Sequence, residues 1–203
     1  MTALEMIIAF VEGRVSAAEL QDALYQTTSD LGRELEALLT EDLRIPPYTN
    51  SGTLYLRLIS GDLRKVGAQV NARAMLGRFL DLKGVKHASD DRSDQLHSTL
   101  LSAQPRWVDV TADLDFNARL QAVAGELAGP ALRTWIKQEI QARYRCLGKP
   151  PRWLQSPKWL HDKGRPLVFV GQLDVGGLHH DDAQLYVFHD AQDGSYRTVV
   201  QCA

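Results

Sequence analysis

Apolar positions early in the chain recur every three or four residues. Leu4, Ile7, Ile8 and Val11 share one helical face, and Gly13 ends that run. Ser16-Ala-Ala-Glu19 has the spacing of a capping box, in which the serine oxygen accepts a free backbone N–H while the glutamate reaches back. Leu20, Ala23 and Leu24 then supply the stripe of a second helix. Leu31, Leu35, Leu38 and Leu39 predict a third, closed before Pro46-Pro47. The leucines of 50–60 alternate in a short capped run that fits helix or strand. Val70, Ala74, Phe79 and Leu80 predict a helix over 67–82, ending near Gly84.

From Lys86 to Gln95 the chain is polar and without period, so 86–104 is expected to be a connecting loop. On this reading 1–85 is a helical part and 105–203 an α+β part, with one continuous domain as the other possibility. Pro105-Arg-Trp-Val-Asp-Val110 reads as a strand entering a helix capped at Thr111 or Asp113, with Phe116, Leu120, Val123 and Leu127 on its buried stripe. Gly129-Pro130 opens the next helix, proline standing at the first helical position where a missing N–H costs little. Leu132, Ile136, Ile140 and Tyr144 line its inner face, and Gly148 closes it before Pro150-Pro151. Pro166–Val170, Gln184–His189 and Tyr196–Gln201 have the apolar, β-branched and aromatic character of strands. The last two are joined by the turn residues Asp190-Ala-Gln-Asp-Gly194. The fold class is therefore α+β: helices first, then a mixed helix and antiparallel-sheet part.

Composition narrows the function more than it names it. Of 203 residues 44% are hydrophobic and 24% charged, enough apolar surface to fold, and the net charge is −2. A surface built throughout for nucleic acid would be far more basic. Two cysteines, Cys146 and Cys202, predict neither a disulfide scaffold nor a zinc site. Cys146 reads as a small apolar residue just inside a helix end. The N-terminus lacks the basic start of a signal peptide, and no run approaches a spanning length. A cytoplasmic chain is expected.

Three constellations invite chemistry. Nine basic residues between Gly129 and Arg165 face only Glu139 and Asp162, with Trp135, Tyr144, Trp153 and Trp159 interleaved. Arg143, Arg145, Arg152 and Lys158 with those rings suggest a nucleic-acid module; the other reading makes the tryptophans anchors of an irregular loop. Aspartates cluster at Asp90, Asp91 and Asp94, at Asp113 and Asp115, and at Asp181 and Asp182. Turn and cap chemistry explains most of these positions; the functional reading of them that needs no catalysis is a negative face complementary to a basic partner. His179, His180 and Asp181 with His189 form a weak metal pattern, since adjacent histidines on a strand point to opposite faces. The chain has no Gly-x-Ser-x-Gly elbow, phosphate loop or His-Glu-x-x-His. We expect no catalytic residues, no metal and no cofactor.

The stretch Lys149-Pro-Pro-Arg-Trp-Leu-Gln-Ser-Pro-Lys-Trp159, followed by Gly164-Arg-Pro-Leu-Val-Phe-Val-Gly-Gln-Leu-Asp174, resembles the signature of YwqG-like bacterial proteins. Tyr186-Val-Phe188 and Val199-Val-Gln201 fit its later strands, while Leu160-His161 departs from its second proline. The resemblance implies a structural role for Trp153, Trp159, Gly171, Gln172 and Asp174, and it carries no active site. Pro46-Pro-Tyr48, Leu54-Tyr-Leu56, Asn71, Phe79-Leu80 and Pro105–Asp109 make the whole chain resemble immunity partners of bacterial toxins. That resemblance implies a non-enzymatic protein that occludes a cognate toxin, the C-terminal domain of a secreted effector. Asp90, Asp91, Asp94, Asp181 and Asp182 are the expected contacts.

Overall fold

A computed structural model describes residues 1–26, 30–44, 52–178 and 182–203. The architecture is α+β, with helices leading and an antiparallel sheet at the C-terminal end. The chain divides into two compact units, Met1–Ser98 and Thr99–Ala203.

The first unit is helical. Thr2 and Ser16 each close a capping box with the glutamate three residues on, starting α1 (Ala3–Val11) and α2 (Ala17–Tyr25). After α3 (Asp30–Glu36) and a 3₁₀ turn at Thr40–Leu43 comes α4 (Leu54–Ile59), which Thr53 caps; the ambiguous leucines are helical. The long helix α5 (Val66–Leu82) follows. Ile7, Phe10, Leu20, Leu24, Leu35, Leu58, Leu76 and Phe79 form one buried cluster. The proline pair Pro46-Pro47 and Tyr48 lie outside the described residues.

The division between units falls inside the stretch read as a connecting loop, but that stretch carries a helix, α6 (Arg92–Ala103). Its polar first turn hides the spacing of Leu96, Leu100 and Ala103, of which the last two are buried. The expected strand over 105–110 is irregular backbone instead. Val108 and Val110 are both buried, which mimics alternation. Side chains satisfy this backbone where a ladder would: Gln104 Oε1 accepts the Val110 N–H at 3.3 Å, and Asn117 Nδ2 donates to the carbonyls of Val110, Thr111 and Asp113.

In the second unit Asp113 caps α7 (Leu114–Val123) through the Phe116 N–H, and α8 (Gly129–Arg143) opens with Pro130. A two-residue hairpin joins β1 (His161–Asp162) to β2 (Arg165–Pro166). Its loop residues Lys163 and Gly164 both have positive φ, 46° and 80°, as a type I′ turn requires. β3 (Val168–Asp174), β4 (Ala183–His189) and β5 (Tyr196–Cys202) form a meander in that order. Phe169, Tyr186, Phe188, Val199 and Gln201 are buried on its inner face.

Candidate functional site

The acidic residues singled out in the first unit gather at one open cleft of about 430 Å³, between α1, α5 and the segment leading into α6. Its position is set by backbone chemistry at the end of α1. Gly13 takes φ 72°, and the Arg14 N–H returns to the Ala9 carbonyl at 2.7 Å. The Asp90 N–H then donates to the Val11 carbonyl at 3.2 Å, and the Ala88 N–H to Glu12 Oε1 at 3.2 Å. Segment 88–90 is thereby laid across the helix end.

Asp90 is held within the fold. One oxygen accepts Arg92 Nε at 2.7 Å, and the other lies 3.3 Å from Arg73 Nη1. The side chains of Arg73 and Asp90 are only 12% and 10% exposed. Arg73 also donates to Ser93 Oγ at 3.0 Å and to the Phe10 carbonyl at 3.4 Å, its guanidinium lying 4.8 Å from the Phe10 ring centre. The bond from Arg92, helped by the Arg73 charge, holds the Asp90 carboxyl below its ordinary value. Burial draws the Arg73 guanidinium down, opposed by Asp90.

Asp91 and Asp94 behave differently. Both are exposed and line the cleft, with Ser89 Oγ donating to Asp91 at 3.1 Å. Asp81, exposed near the end of α5, lines the same cleft. Sequence reasoning missed it because it stands alone beside Phe79 and Leu80, which read as helix core, and not in an acidic run; its place on the polar side of α5 was the available signal. Of the remaining candidates, Asp182 is exposed just before β4 in the second unit, and Asp181 lies outside the described residues.

The Trp-Pro loop in the second unit is an anchor. Trp159 is buried among Tyr144, Phe169, Phe188 and Trp107, with ring centres 5.3 to 6.2 Å away, and donates its indole N–H to the Leu167 carbonyl at 2.8 Å. Trp153, half-buried, stacks 4.4 Å from Tyr186 and donates to the Trp107 carbonyl at 2.8 Å. Gln172 Oε1 accepts the Arg152 N–H at 2.7 Å, which ties the loop to β3. At Gly171 the register with β4 shifts by a bulge; the space a Cβ would fill there is open, so a kink and not a close approach explains this position. Asp174 is exposed and closes a turn by accepting the Gly176 N–H at 2.9 Å.

Packed this way, Trp159 offers no open face for a nucleic-acid base to stack on. Three of the basic residues suggested for that role, Arg145, Arg152 and Lys158, are exposed. Arg143 instead turns inward to Asp115 and lies 3.5 Å from Asp113. Cys146 lies beyond the end of α8, in extended backbone bridged to Phe169, and burial pushes its thiol up. His189 packs on Tyr196 at 5.0 Å, while His179 and His180 lie outside the described residues. Among the described residues no group of three or more His, Cys, Asp and Glu is placed to hold a metal ion.

One buried titratable cluster could not be assembled from the sequence, because Asp113, Tyr144 and His161 come from three separate segments of the chain. The Tyr144 hydroxyl donates to Asp113 Oδ2 at 2.5 Å, and His161 Nε2 lies 3.7 Å from the same oxygen. Burial pushes the Asp113 carboxyl up, but His161, the Tyr144 hydroxyl, the Phe116 N–H and the Arg143 charge outweigh it and hold it well below the carboxylate range. Burial and Asp113 together push the Tyr144 phenol far up. An aspartate fixed as a charge and a tyrosine fixed as a neutral donor are an anchor.

Compared with protein-family models, curated proteins and solved structures, the chain finds no match. No helix among the described residues is long and apolar enough to cross a membrane.

Proposed function

We propose that this chain is an immunity protein that binds a cognate bacterial toxin in the cytoplasm and neutralises it by occlusion. The toxin is the C-terminal domain of a secreted effector and presents a basic surface. One observation carries the reading: Asp90, locked between Arg73 and Arg92, fixes the segment that sets Asp91 and Asp94 on the rim of an open cleft facing Asp81. Carboxylates held on a rigid frame lose little freedom when a cation docks, and they speed encounter with a basic partner. The locked state of Asp113 and Tyr144 supports a binding role over a chemical one at that site.

Survival of bacteria that express the toxin encoded beside this chain tests the proposal. Cells carrying the chain should grow, and cells carrying the Asp91→Lys, Asp94→Lys double variant should die. Equal death with and without the wild-type chain refutes the reading.

A further inference from the structure

In the order β3-β4-β5, the last strand is paired on one side only. The bonds from Asp190 N–H to the Ser195 carbonyl and from Ala203 N–H to the Asp182 carbonyl set the phase of the ladder. By the alternation of antiparallel pairing, 195, 197, 199, 201 and 203 turn their backbone groups toward β4, and Tyr196, Thr198, Val200 and Cys202 turn theirs outward. Gln155 Nε2 takes the Cys202 carbonyl at 2.7 Å. The outward N–H and C=O groups of Tyr196, Thr198 and Val200 meet no backbone partner among the described residues.

Sheet edges are commonly guarded by proline, lysine or an inward charge. Tyr196–Cys202 contains no proline or lysine. Its one charged side chain, Arg197, is spent on Asp162 at 3.0 Å and Asp190 at 3.7 Å. Tyr196 is 66% exposed and Val200 47%, and on the same face of the sheet Leu173 of β3 is 59% exposed. An apolar face thus continues inward from an edge that carries no proline or lysine. Both ends of this edge carry an exposed carboxylate. Exposed Asp193 precedes β5, and exposed Asp182 stands opposite Ala203 at its other end.

We propose that β5 is a docking edge that takes an extended, basic segment of the partner as a fourth strand of the β3–β4–β5 sheet. This deepens the toxin-binding reading and rests on it for the partner's charge. Backbone hydrogen bonds at Tyr196, Thr198 and Val200 supply the grip, apolar side chains at alternate positions lie beside Tyr196 and Val200, and terminal lysines or arginines meet Asp182 and Asp193.

Amide hydrogen exchange of the full chain, followed by NMR, tests this with a synthetic peptide of sequence Lys-Val-Thr-Val-Thr-Val-Lys and a control with both lysines replaced by glutamate. The lysine peptide should slow exchange at Tyr196, Thr198 and Val200 by about tenfold or more, and the glutamate peptide should not. Thr198→Pro removes an N–H that points away from β4, so it spares the ladder and should abolish the effect. Val200→Lys, which keeps every backbone group, should weaken it. No protection at millimolar lysine peptide, an equal response to both peptides, or protection retained in Thr198→Pro overturns the proposal. So does protection that rises with protein concentration alone, which would make a second copy the occupant. Rescue of toxin-expressing cells by Thr198→Pro removes the edge and leaves the toxin reading; peptide binding without rescue by the wild type does the reverse.

Discussion

Arg73 and Asp90 meet at 3.3 Å with both side chains nearly out of solvent, joining the middle of α5 to the segment that enters α6. Removing one member of such a pair strands the other as a buried charge. Asp90→Ala should lower stability by about 3 kcal/mol, read as the shift of the urea midpoint in far-UV circular dichroism. Arg92→Ala should cost much less, since that side chain is 75% exposed.

Gly13 is bound to the same device. At φ 72° a side chain is strained, and a Cβ there would stand 2.4 Å from Asp90 Oδ2 and from Arg92 Nη2. Gly13→Ala should therefore destabilise by about 2 kcal/mol. In an Asp90→Ala background the added loss should be smaller, because part of the clash has gone. A double-mutant cycle by chemical denaturation checks this.

Acid sensitivity follows from Asp113. Its carboxyl titrates lower in the folded state than in the unfolded chain, so its contribution is complete at neutral pH and fades as pH falls below about 5. Asp113→Asn should cost about 2 kcal/mol at neutral pH and progressively less in acid, so that the two stability curves converge. Thermal unfolding at a series of pH values measures the convergence; parallel curves would show that the carboxylate charge is not what stabilises.

Trp159→Ala should cost about 4 kcal/mol, because four aromatic rings and the Leu167 carbonyl lose their common partner. Near-UV circular dichroism should lose its aromatic bands with the transition. Trp159→Phe, which keeps a ring, should recover part of the loss.

What the sequence made legible was local. Ser16 with Glu19, Gly129 with Pro130, and Asp190 to Gly194 each state their structure within a few residues, and each element is where that chemistry places it. The misreadings arose where distant side chains decide. The backbone of 105–110 looks like a strand until Gln104 and Asn117 are seen to satisfy it. The polar opening of α6 gives no hint that Ser93 is buried against Arg73 and Gln69. The site was legible in part: Asp91 and Asp94 stand exposed at a cleft, but whether a neighbouring aspartate is bound or free depends on Arg73, 17 positions away. For the same reason Asp90 was read as a contact and proves to be a strut.

In the proposed function, the acidic rim of the first unit recruits a basic toxin. The direct measurement is the association rate of the purified chain with its toxin domain at low and high salt, for the wild type and for Asp91→Lys with Asp94→Lys. Association should be fast and salt-sensitive and should slow about tenfold or more in the variant, while the variant's melting temperature stays unchanged. A rate equal in both proteins, or the same at both salt concentrations, would contradict the proposed function.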